Sequence, residues 1–369
     1  MTKPALKPND PSSLLPELPQ GAEILIVRPR SLGDIVLETP GIAALHAWRP
    51  DLRINVLVEQ RFAAALEGNP GVATLIYSRG FPETARELCR KKFAAVFNQH
   101  GGPRSAFLTA ASGSPLRVCW KGFQYSFLYN VLVPDAREFF GTPVVHAVEH
   151  RISQFYATGL PRGPIPGAQV FPQRDAIQSV AGMLAEKGIA NGSPYAVLQP
   201  GARLASMRWP VARFAEIARW LRSEHGIASV VNLGAGDSEI ATDARRELHD
   251  CTLIPDPLPL RELIALVASA RLFVGNDSGP AHFAAATARP SVVIFSSTNP
   301  TQWGPWQTEH RILHTGAVFR PSRGDKTTAV SEPQSIDSIA TDQVQKAAGE
   351  LLTSPNPLSR DSGKEGSVQ

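Results

Sequence analysis

Short apolar strands that alternate with helical segments constrain this chain more than any other feature of its sequence. An apolar run at 23–28 breaks into a loop, and a helical pattern follows it as far as Leu45. Further strands are predicted at 54–58 and 94–97, with a helix at 83–91 between them. Strands that alternate with helices form parallel sheets, so the sequence predicts an α/β fold.

The same alternation starts again in the second half of the chain. Strands are predicted at 195–198, 228–233, 272–274 and 292–295, and helices at 211–223 and 260–268. The chain has 369 residues, which is more than one hydrophobic core usually serves. Two consecutive α/β domains are therefore expected.

Turn-forming residues set the expected domain boundary. Proline and glycine concentrate at 161–167, where they would interrupt any regular element. The ends of the chain are polar and rich in proline, which is typical of disordered segments. We expect a flexible N-terminal tail at 1–20, domains at 21–165 and 166–350, and a disordered tail at 351–369.

The charge of the chain argues against some partners. The net charge of +4 is too mild to indicate nucleic acid, which usually requires clustered Lys and Arg. Residues 1–165 carry +5 and the remainder carries −1. This asymmetry suits an acidic partner such as a phosphorylated glycolipid, although scattered solvated charges explain it equally well.

The cysteines and the apolar segments bear on the compartment. The three cysteines show no CxxC spacing, so neither a disulfide framework nor a metal site is indicated. The first 20 residues lack the order of a signal peptide, and no apolar run approaches the roughly 18 residues of a membrane span. We expect a cytoplasmic protein that does not cross a membrane.

The first of three candidate loops follows the first strand. Open parallel sheets bind ligands beyond the carboxyl ends of their strands. Residues 28–34 place Gly33 just before Asp34 at the start of a helix. The glycine lets a substrate approach the backbone, and the carboxylate can act as a general base towards a hydroxyl. Capping of the helix by Asp34 is an equally good interpretation.

The second loop, residues 199–210, carries two arginines. Arg203 and Arg208 precede a helix that begins near Pro210. Arginines and backbone N–H groups at the start of a helix suit a diphosphate. The alternative interpretation is a plain connection with Trp209 in the core.

The third loop, residues 274–282, leaves a strand and enters a helix. Ser278, Gly279 and the following amides would present a hydroxyl and N–H groups to phosphate oxygens. Asp277 could hold sugar hydroxyls. A lone turn of this kind would be weak support for a phosphate site.

Together, the three loops resemble the heptosyltransferases of glycosyltransferase family 9, which build the inner core of lipopolysaccharide. The pattern Arg-x-x-Ser-x-Gly-Asp lies at 28–34, Pro-Gly-Ala through to Trp-Pro at 200–210, and Gly-Asn-Asp-Ser-Gly-Pro-x-His at 275–282. The resemblance covers roughly residues 23 to 350. It implies a GT-B fold, in which two Rossmann-like domains face each other across a cleft, the first for the acceptor and the second for the donor.

The resemblance further implies an inverting, metal-free and cofactor-free transfer of heptose from ADP-heptose to a Kdo- or heptose-bearing glycolipid. Asp34 would be the catalytic base. Acceptor-binding residues would be Arg28, Arg30, Ser31 and Gly33. Donor-binding residues would be Arg203, Arg208, Glu239, Leu258, Asp277, Ser278, Gly279, Pro280 and His282.

Some of these roles have competitors. Asp237 competes with Glu239 for the ribose hydroxyls, and His282 is equally well explained as a buried structural histidine. The protein is expected to be a monomer without nucleic-acid partners. It would lie in the cytoplasm or attach peripherally to the inner membrane, where its glycolipid acceptor is found.

Met207 departs from the family pattern, which often has a lysine two residues before the Trp of the Trp-Pro pair. A thioether cannot replace an ammonium ion, although Arg203 or Arg208 could supply the charge. A different nucleotide sugar, an acceptor that is another surface glycan or a protein, and a non-catalytic relative therefore stay open. A Rossmann oxidoreductase is disfavoured because no GxGxxG follows the first strand.

Overall fold

The computed structural model describes residues 10–353, apart from 235, 250, 255–256, 323–326 and 332–333. The chain divides into two compact units. The first runs to Gln169 and includes the described residues of the stretch 320–328, and the second contains 170–319 and the residues from Ala329 onwards. The sequence predicted that the chain passes from the first domain to the second once, near residue 165. In the structure, the described residues of 320–328 belong to the first unit again.

The first unit is built on one sheet of six parallel strands. Its strands are β1 (Glu23–Val27), β2 (Arg53–Val58), β3 (Thr74–Tyr77), β4 (Ala95–Asn98), β5 (Leu116–Trp120) and β6 (Val131–Val133). Its helices are α1 (Leu14–Glu17), α2 (Leu32–Val36), α3 (Thr39–Trp48), α4 (Phe81–Lys91), α5 (Pro103–Ala111), α6 (Ala136–Phe140) and α7 (Ala147–Tyr156).

The second unit repeats this plan. Its parallel sheet contains β7 (Tyr195–Gln199), β8 (Ala228–Asn232), β9 (Thr252–Ile254), β10 (Leu272–Asn276), β11 (Ser291–Phe295) and β12 (His310–His314). The helices are α8 (Arg174–Glu186), α9 (Val211–His225), α10 (Ser238–Glu247), α11 (Leu260–Ala268), α12 (Gly279–Ala286), α13 (Pro300–Trp303) and α14 (Thr341–Leu352). A separate two-stranded sheet pairs β13 (Phe319–Pro321) with β14 (Thr327–Ala329).

The expectation of a flexible tail at 1–20 is wrong for residues 11–17. These residues form a short 3-10 helix followed by α1. Leu14 and Leu15 are buried, and the N–H of Leu15 donates to the carbonyl of Thr158. Burial of two leucines offsets the entropic cost of ordering this segment. Residues 1–9 of the expected N-terminal tail, and 354–369 of the C-terminal one, lie outside the described residues.

The strand order places ligand-binding edges in both units. The sheets run β3-β2-β1-β4-β5-β6 and β9-β8-β7-β10-β11-β12. In each sheet the chain builds outwards for three strands and then crosses to the other side of the first strand. Such a reversal opens a crevice at the carboxyl ends of the two central strands, where doubly wound sheets bind ligands. The crevices lie beyond β1 and β4 and beyond β7 and β10, which confirms the predicted α/β fold.

Candidate active site

Asp34 lies in the first turn of α2, just beyond the carboxyl end of β1. Its Oδ1 atom forms an ion pair with Arg28 Nη2 at 2.5 Å and another with Arg151 of α7. Ser31 occupies the N-cap position of α2, so Asp34 does not cap this helix. Two guanidinium groups therefore hold the carboxylate at the crevice of the first sheet.

Each of these arginines is fixed by a further partner. Arg28 also donates to the backbone carbonyl of Gln99, which follows β4. Arg151 is buried, and its Nε atom lies 3.7 Å from Glu38 Oε2. Glu38 is fully buried, and burial raises its pKa to about 7 although the charges of Arg151 and Arg28 oppose the rise. The position of Asp34 thus depends on β1, β4 and α7 together.

The other residues predicted to bind the acceptor shortly precede Asp34 in the chain. Arg30 is exposed, and its Nε lies 3.7 Å from Glu59 Oε1. Gly33 lies within α2, and its carbonyl accepts a hydrogen bond from the N–H of Leu37. Arg30 therefore faces solvent, whereas Gly33 is part of the helical framework.

His100, which the sequence analysis did not single out, also lies at this edge. It follows β4 and is half-buried. Burial, together with the positive charges of Arg28 and Arg30, lowers its pKa to about 4, whereas Asp34 acts in the opposite direction. The imidazole is therefore neutral near pH 7. Its position directly after the fourth strand was the signal available in the sequence.

Asp277 directly follows β10, one of the two central strands at the crevice of the second sheet. Its Oδ2 atom accepts a hydrogen bond of 2.5 Å from the hydroxyl of Thr298, which follows β11. Burial raises the pKa of Asp277 to about 6, whereas the Thr298 hydroxyl and the charge of Arg203 oppose the rise. Arg203 itself is exposed. A titratable carboxylate and a cation thus face the same crevice.

Ser278 begins the helix that leaves this strand. It is the N-cap of α12, yet its side chain makes no capping hydrogen bond, and its buried Oγ atom has no partner among the described residues. Gly279 and Pro280 begin the first turn; proline has no N–H and the N–H of Ala281 donates to the carbonyl of Ser278, so Gly279 supplies the N–H of this turn that can meet a ligand. A hydroxyl and a helix N-terminus together make a suitable anion site. His282 is buried within the same helix.

Asn276 ties the second and third predicted loops together. Its Oδ1 accepts from the backbone N–H of Trp209 at 3.1 Å, and its Nδ2 donates to the carbonyl of Pro200 at 2.8 Å. The indole of Trp209 is fully buried and donates to the carbonyl of Ile339. The interpretation of Trp209 as a core residue is therefore confirmed, and the same loop still presents Arg203 to solvent.

The side chains of Arg208 and Met207 are engaged within the protein. Arg208 donates to the carbonyl of Ala202 at 3.0 Å and to Glu239 Oε2 at 2.6 Å. Met207 is buried. Glu239 is exposed at the start of α10. Arg203 is therefore the arginine of this loop that extends into solvent.

Asp237 and Leu258 complete the predicted donor-side set. Asp237 is buried and accepts from the N–H of Gly234 at 2.8 Å, and burial raises its pKa. Its carboxylate packs against Gly201, where an added Cβ would lie 2.1 Å from Oδ2. Leu258 is half-buried just before α11. Asp237 is thus engaged within its own loop.

No group of three or more His, Cys, Asp or Glu side chains is arranged to hold a metal ion in the described part of the chain. Over the same residues, no helix is both long enough and apolar enough to cross a bilayer.

Two Rossmann-type units with polar clusters at their crevices are the arrangement of the GT-B fold. The chain belongs to glycosyltransferase family 9 (heptosyltransferase), whose family model matches residues 83–329. The match includes the loop with Asp277 and the loop with Arg203. The motif with Asp34 precedes the matched region.

Curated relatives agree with this family. Lipopolysaccharide heptosyltransferase 2 of Escherichia coli is 25% identical over 350 residues, which cover 89% of this chain and 98% of that protein. Lipopolysaccharide heptosyltransferase 1 of Pseudomonas aeruginosa is 26% identical over 338 residues, 85% of this chain and 89% of that protein. Both alignments extend over most of this chain.

Solved structures show the same fold. A family 9 glycosyltransferase from Veillonella parvula aligns with a TM-score of 0.80 and 21% identity, covering 91% of this chain and 98% of that one. The ADP-heptose lipopolysaccharide heptosyltransferase II of E. coli aligns with a TM-score of 0.74 and 22% identity, covering 92% and 99%. The predicted GT-B fold is confirmed by these neighbours.

Proposed function

We propose that this glycosyltransferase inverts the anomeric centre as it moves heptose from ADP-heptose to a Kdo- or heptose-bearing acceptor of the lipopolysaccharide inner core. The observation that carries the proposal is the Asp34 carboxylate, held by two arginines at the crevice of the first sheet. The relatives named lipopolysaccharide heptosyltransferases 1 and 2 support heptose as the sugar and lipopolysaccharide as the acceptor.

Asp34 acts as the general base. Opposite charges at hydrogen-bond distance favour the ionised form of a carboxylate, which is the form that accepts a proton. The acceptor hydroxyl becomes more acidic as its oxygen bonds to the anomeric carbon, so a carboxylate suffices to take the proton. Arg28, Arg30, Ser31 and Gly33 border this position and contact the acceptor.

The ADP leaving group is stabilised in the second unit. Negative charge develops on the diphosphate as the glycosidic bond to heptose breaks. The Ser278 hydroxyl, the first-turn N–H of Gly279 and the exposed Arg203 provide donors and a positive charge for it. Pro280 fixes the backbone at the start of α12. These groups stabilise the leaving group without a proton transfer.

Sugar and nucleoside contacts follow from the neighbouring side chains. Asp277 accepts hydrogen bonds from heptose hydroxyls, and His282 supports its loop from within α12. Glu239, oriented by Arg208, meets the ribose hydroxyls, because Asp237 is already engaged by Gly234. Leu258 packs near the adenine. Action as a monomer stays a prediction.

Transfer from a different nucleotide sugar is the second candidate function, and Met207 favours it. This buried thioether stands where the family often has a lysine, so one cation for the phosphate or sugar is missing. The acceptor could equally be another surface glycan or a protein hydroxyl. A non-catalytic role is disfavoured because Asp34 and Asp277 are both retained.

Thermal unfolding with a panel of nucleotides tests the donor. A ligand that binds only the folded state stabilises it by about 2.7 kcal/mol at a hundred times its dissociation constant. ADP and ADP-heptose should raise the melting temperature, whereas UDP, GDP and NAD should not. Selective stabilisation by UDP or GDP would favour the second candidate. A response to NAD alone, or to none of the panel, would overturn the proposal.

A further inference from the structure

One stretch of the first unit carries positive charge without any acidic residue. Residues 88–134 contain six Lys and Arg and no Asp or Glu. The stretch runs from the end of α4 through β6. Arg90, Lys91, Lys92, Arg104 and Lys121 are exposed. Of these cations, Arg104 and Lys121 follow the carboxyl ends of β4 and β5, whereas the other three precede β4.

The same stretch exposes aromatic rings that contact one another. Phe107 of α5 is 44% exposed and Phe127 is 77% exposed. The ring of Tyr125 lies between them, with centroid distances of 5.5 Å to Phe107 and 6.2 Å to Phe127. Arg104 precedes Phe107 by one helical turn, and Lys121 begins the loop that carries Tyr125. We call these five residues the aromatic surface.

The aromatic surface lies at the same edge of the sheet as Asp34. Both α5 and the loop with Tyr125 follow the carboxyl ends of β4 and β5. Gly101 packs so closely on the ring of Phe123 that an added Cβ would approach it to 2.8 Å. The negative charge of Asp34 acts on the neighbouring His100, where it favours the protonated imidazole. The loop after β4 therefore lies near the carboxylate and packs on Phe123, which follows β5.

We propose that the aromatic surface docks on an anionic lipid bilayer, with Phe107 and Phe127 in the headgroup region and Arg104 and Lys121 on lipid phosphates. Exposed rings flanked by cations are the combination that binds at a bilayer interface, where one end of a side chain is apolar and the other wet. The absence of acidic residues from 88–134 removes repulsion from anionic lipids. The inference extends the proposed function, because a glycolipid acceptor would then meet Asp34 at the membrane.

Vesicle sedimentation with the full chain tests the apolar part of the proposal. The vesicles contain phosphatidylglycerol and phosphatidylcholine in equal parts, without donor or acceptor, so the result does not depend on transferase activity. The protein should sediment with them, and Phe107→Ser with Phe127→Ser should lower the partition coefficient about tenfold. Ile177→Ser, at a 39% exposed position of α8, is the matched control and should change nothing.

A charge reversal tests the electrostatic part and guards against misfolding of the double variant. Lys121→Glu should weaken binding, added salt should weaken it further, and Lys187→Glu at an exposed position of the second unit should not. Circular dichroism verifies that each variant is folded. Equal binding to phosphatidylcholine alone, or wild-type binding by the phenylalanine variant, would overturn the proposal. Binding that appears only when the vesicles carry the acceptor would assign the surface to acceptor sugars instead.

Discussion

Asp34 and Arg151 form an ion pair although 117 positions separate them in the chain. Arg151 is buried in α7, the last helix before the chain enters the second unit, and it also lies 3.7 Å from the buried Glu38. A guanidinium that lies near two carboxylates couples the position of one to the charge of the other. The position of the Asp34 carboxylate is therefore coupled to the charge of Glu38, a fully buried residue.

Replacing Glu38 with Gln should make the protein more stable in alkaline buffer. Burial raises the folded pKa of Glu38 from 4.5 to about 7, so its contribution to stability is full below pH 4.5 and is lost as the pH rises through 7. The variant should exceed the wild type by at most about 3 kcal/mol at pH 8. Urea unfolding at several pH values measures the difference.

The difference in unfolding free energy should shrink as the pH falls. Glu83→Gln, at an exposed position of α4, is the control and should change the unfolding free energy at pH 8 much less than Glu38→Gln. A Glu38→Gln difference that stays constant from pH 5 to pH 8 would show that the carboxyl does not titrate in the folded protein.

Replacing Gly201 with Ala should disturb the loop at 199–210, which carries the proposed donor residue Arg203. The new Cβ would lie 2.1 Å from Asp237 Oδ2, so the carboxylate would have to leave the N–H of Gly234. We expect a loss of about 1–3 kcal/mol in unfolding free energy and weaker ADP binding. Gly182→Ala is the control, because that helical glycine has nothing within 4 Å, and it should stabilise α8 by about 0.5–1 kcal/mol. Equal effects of the two substitutions would contradict this account.

Replacing Arg203 with Ala should raise the KM for the donor about tenfold, as expected for a charge-assisted hydrogen bond to phosphate. Arg208 cannot compensate, since it is held by Ala202 and Glu239. Arg219→Ala, at an exposed position of α9, should leave the KM unchanged. Steady-state kinetics decide the matter, and an unchanged KM in both variants would remove Arg203 from the donor site.

Donor affinity should fall as the pH drops through about 6. Burial raises the pKa of Asp277 from 3.8 to about 6, and only the ionised carboxylate accepts hydrogen bonds from sugar hydroxyls with both oxygens. Thr298→Val removes a hydrogen bond that lowers this pKa, so the fall should begin at a higher pH. Titration calorimetry with ADP-heptose measures both curves. Coincident curves would show that Thr298 does not influence the titration of Asp277.

The elements of the fold that could be predicted are those whose residues show a clear local pattern in the sequence. Strands β7, β10 and β11 are runs of apolar residues bounded by turn formers, and the helix predicted at 260–268 matches α11. The sequence analysis missed the strands β3, β5, β6, β9 and β12, whose three to five residues lack a clear apolar pattern bounded by turn formers. The helical pattern up to Leu45 is broken into two helices, because Pro40 lies in the first turn of α3.

The site was predictable only where it lies in strand-end loops. Asp277 follows β10 directly and Asp34 begins the helix after β1, so their motifs were visible. Arg151 lies on α7 and Glu38 in the turn between α2 and α3, and only the packing of α7 brings Arg151 to the carboxylate. The contact of Thr298 was unpredictable for the same reason, since Thr298 meets Asp277 through the pairing of β10 with β11. Contacts of this kind follow from tertiary structure, which no local pattern encodes.

The most direct test is heptose transfer from ADP-heptose to heptose-deficient lipopolysaccharide by the wild type and by Asp34→Asn. Loss of a general base should lower kcat by about a hundredfold to ten-thousandfold, while ADP binding stays within about twofold because the proposed donor contacts lie in the second unit. Transfer by the wild type and its loss in Asp34→Asn are the predicted results. An unchanged rate in Asp34→Asn would contradict the assigned base, and no transfer by the wild type would contradict the proposed reaction.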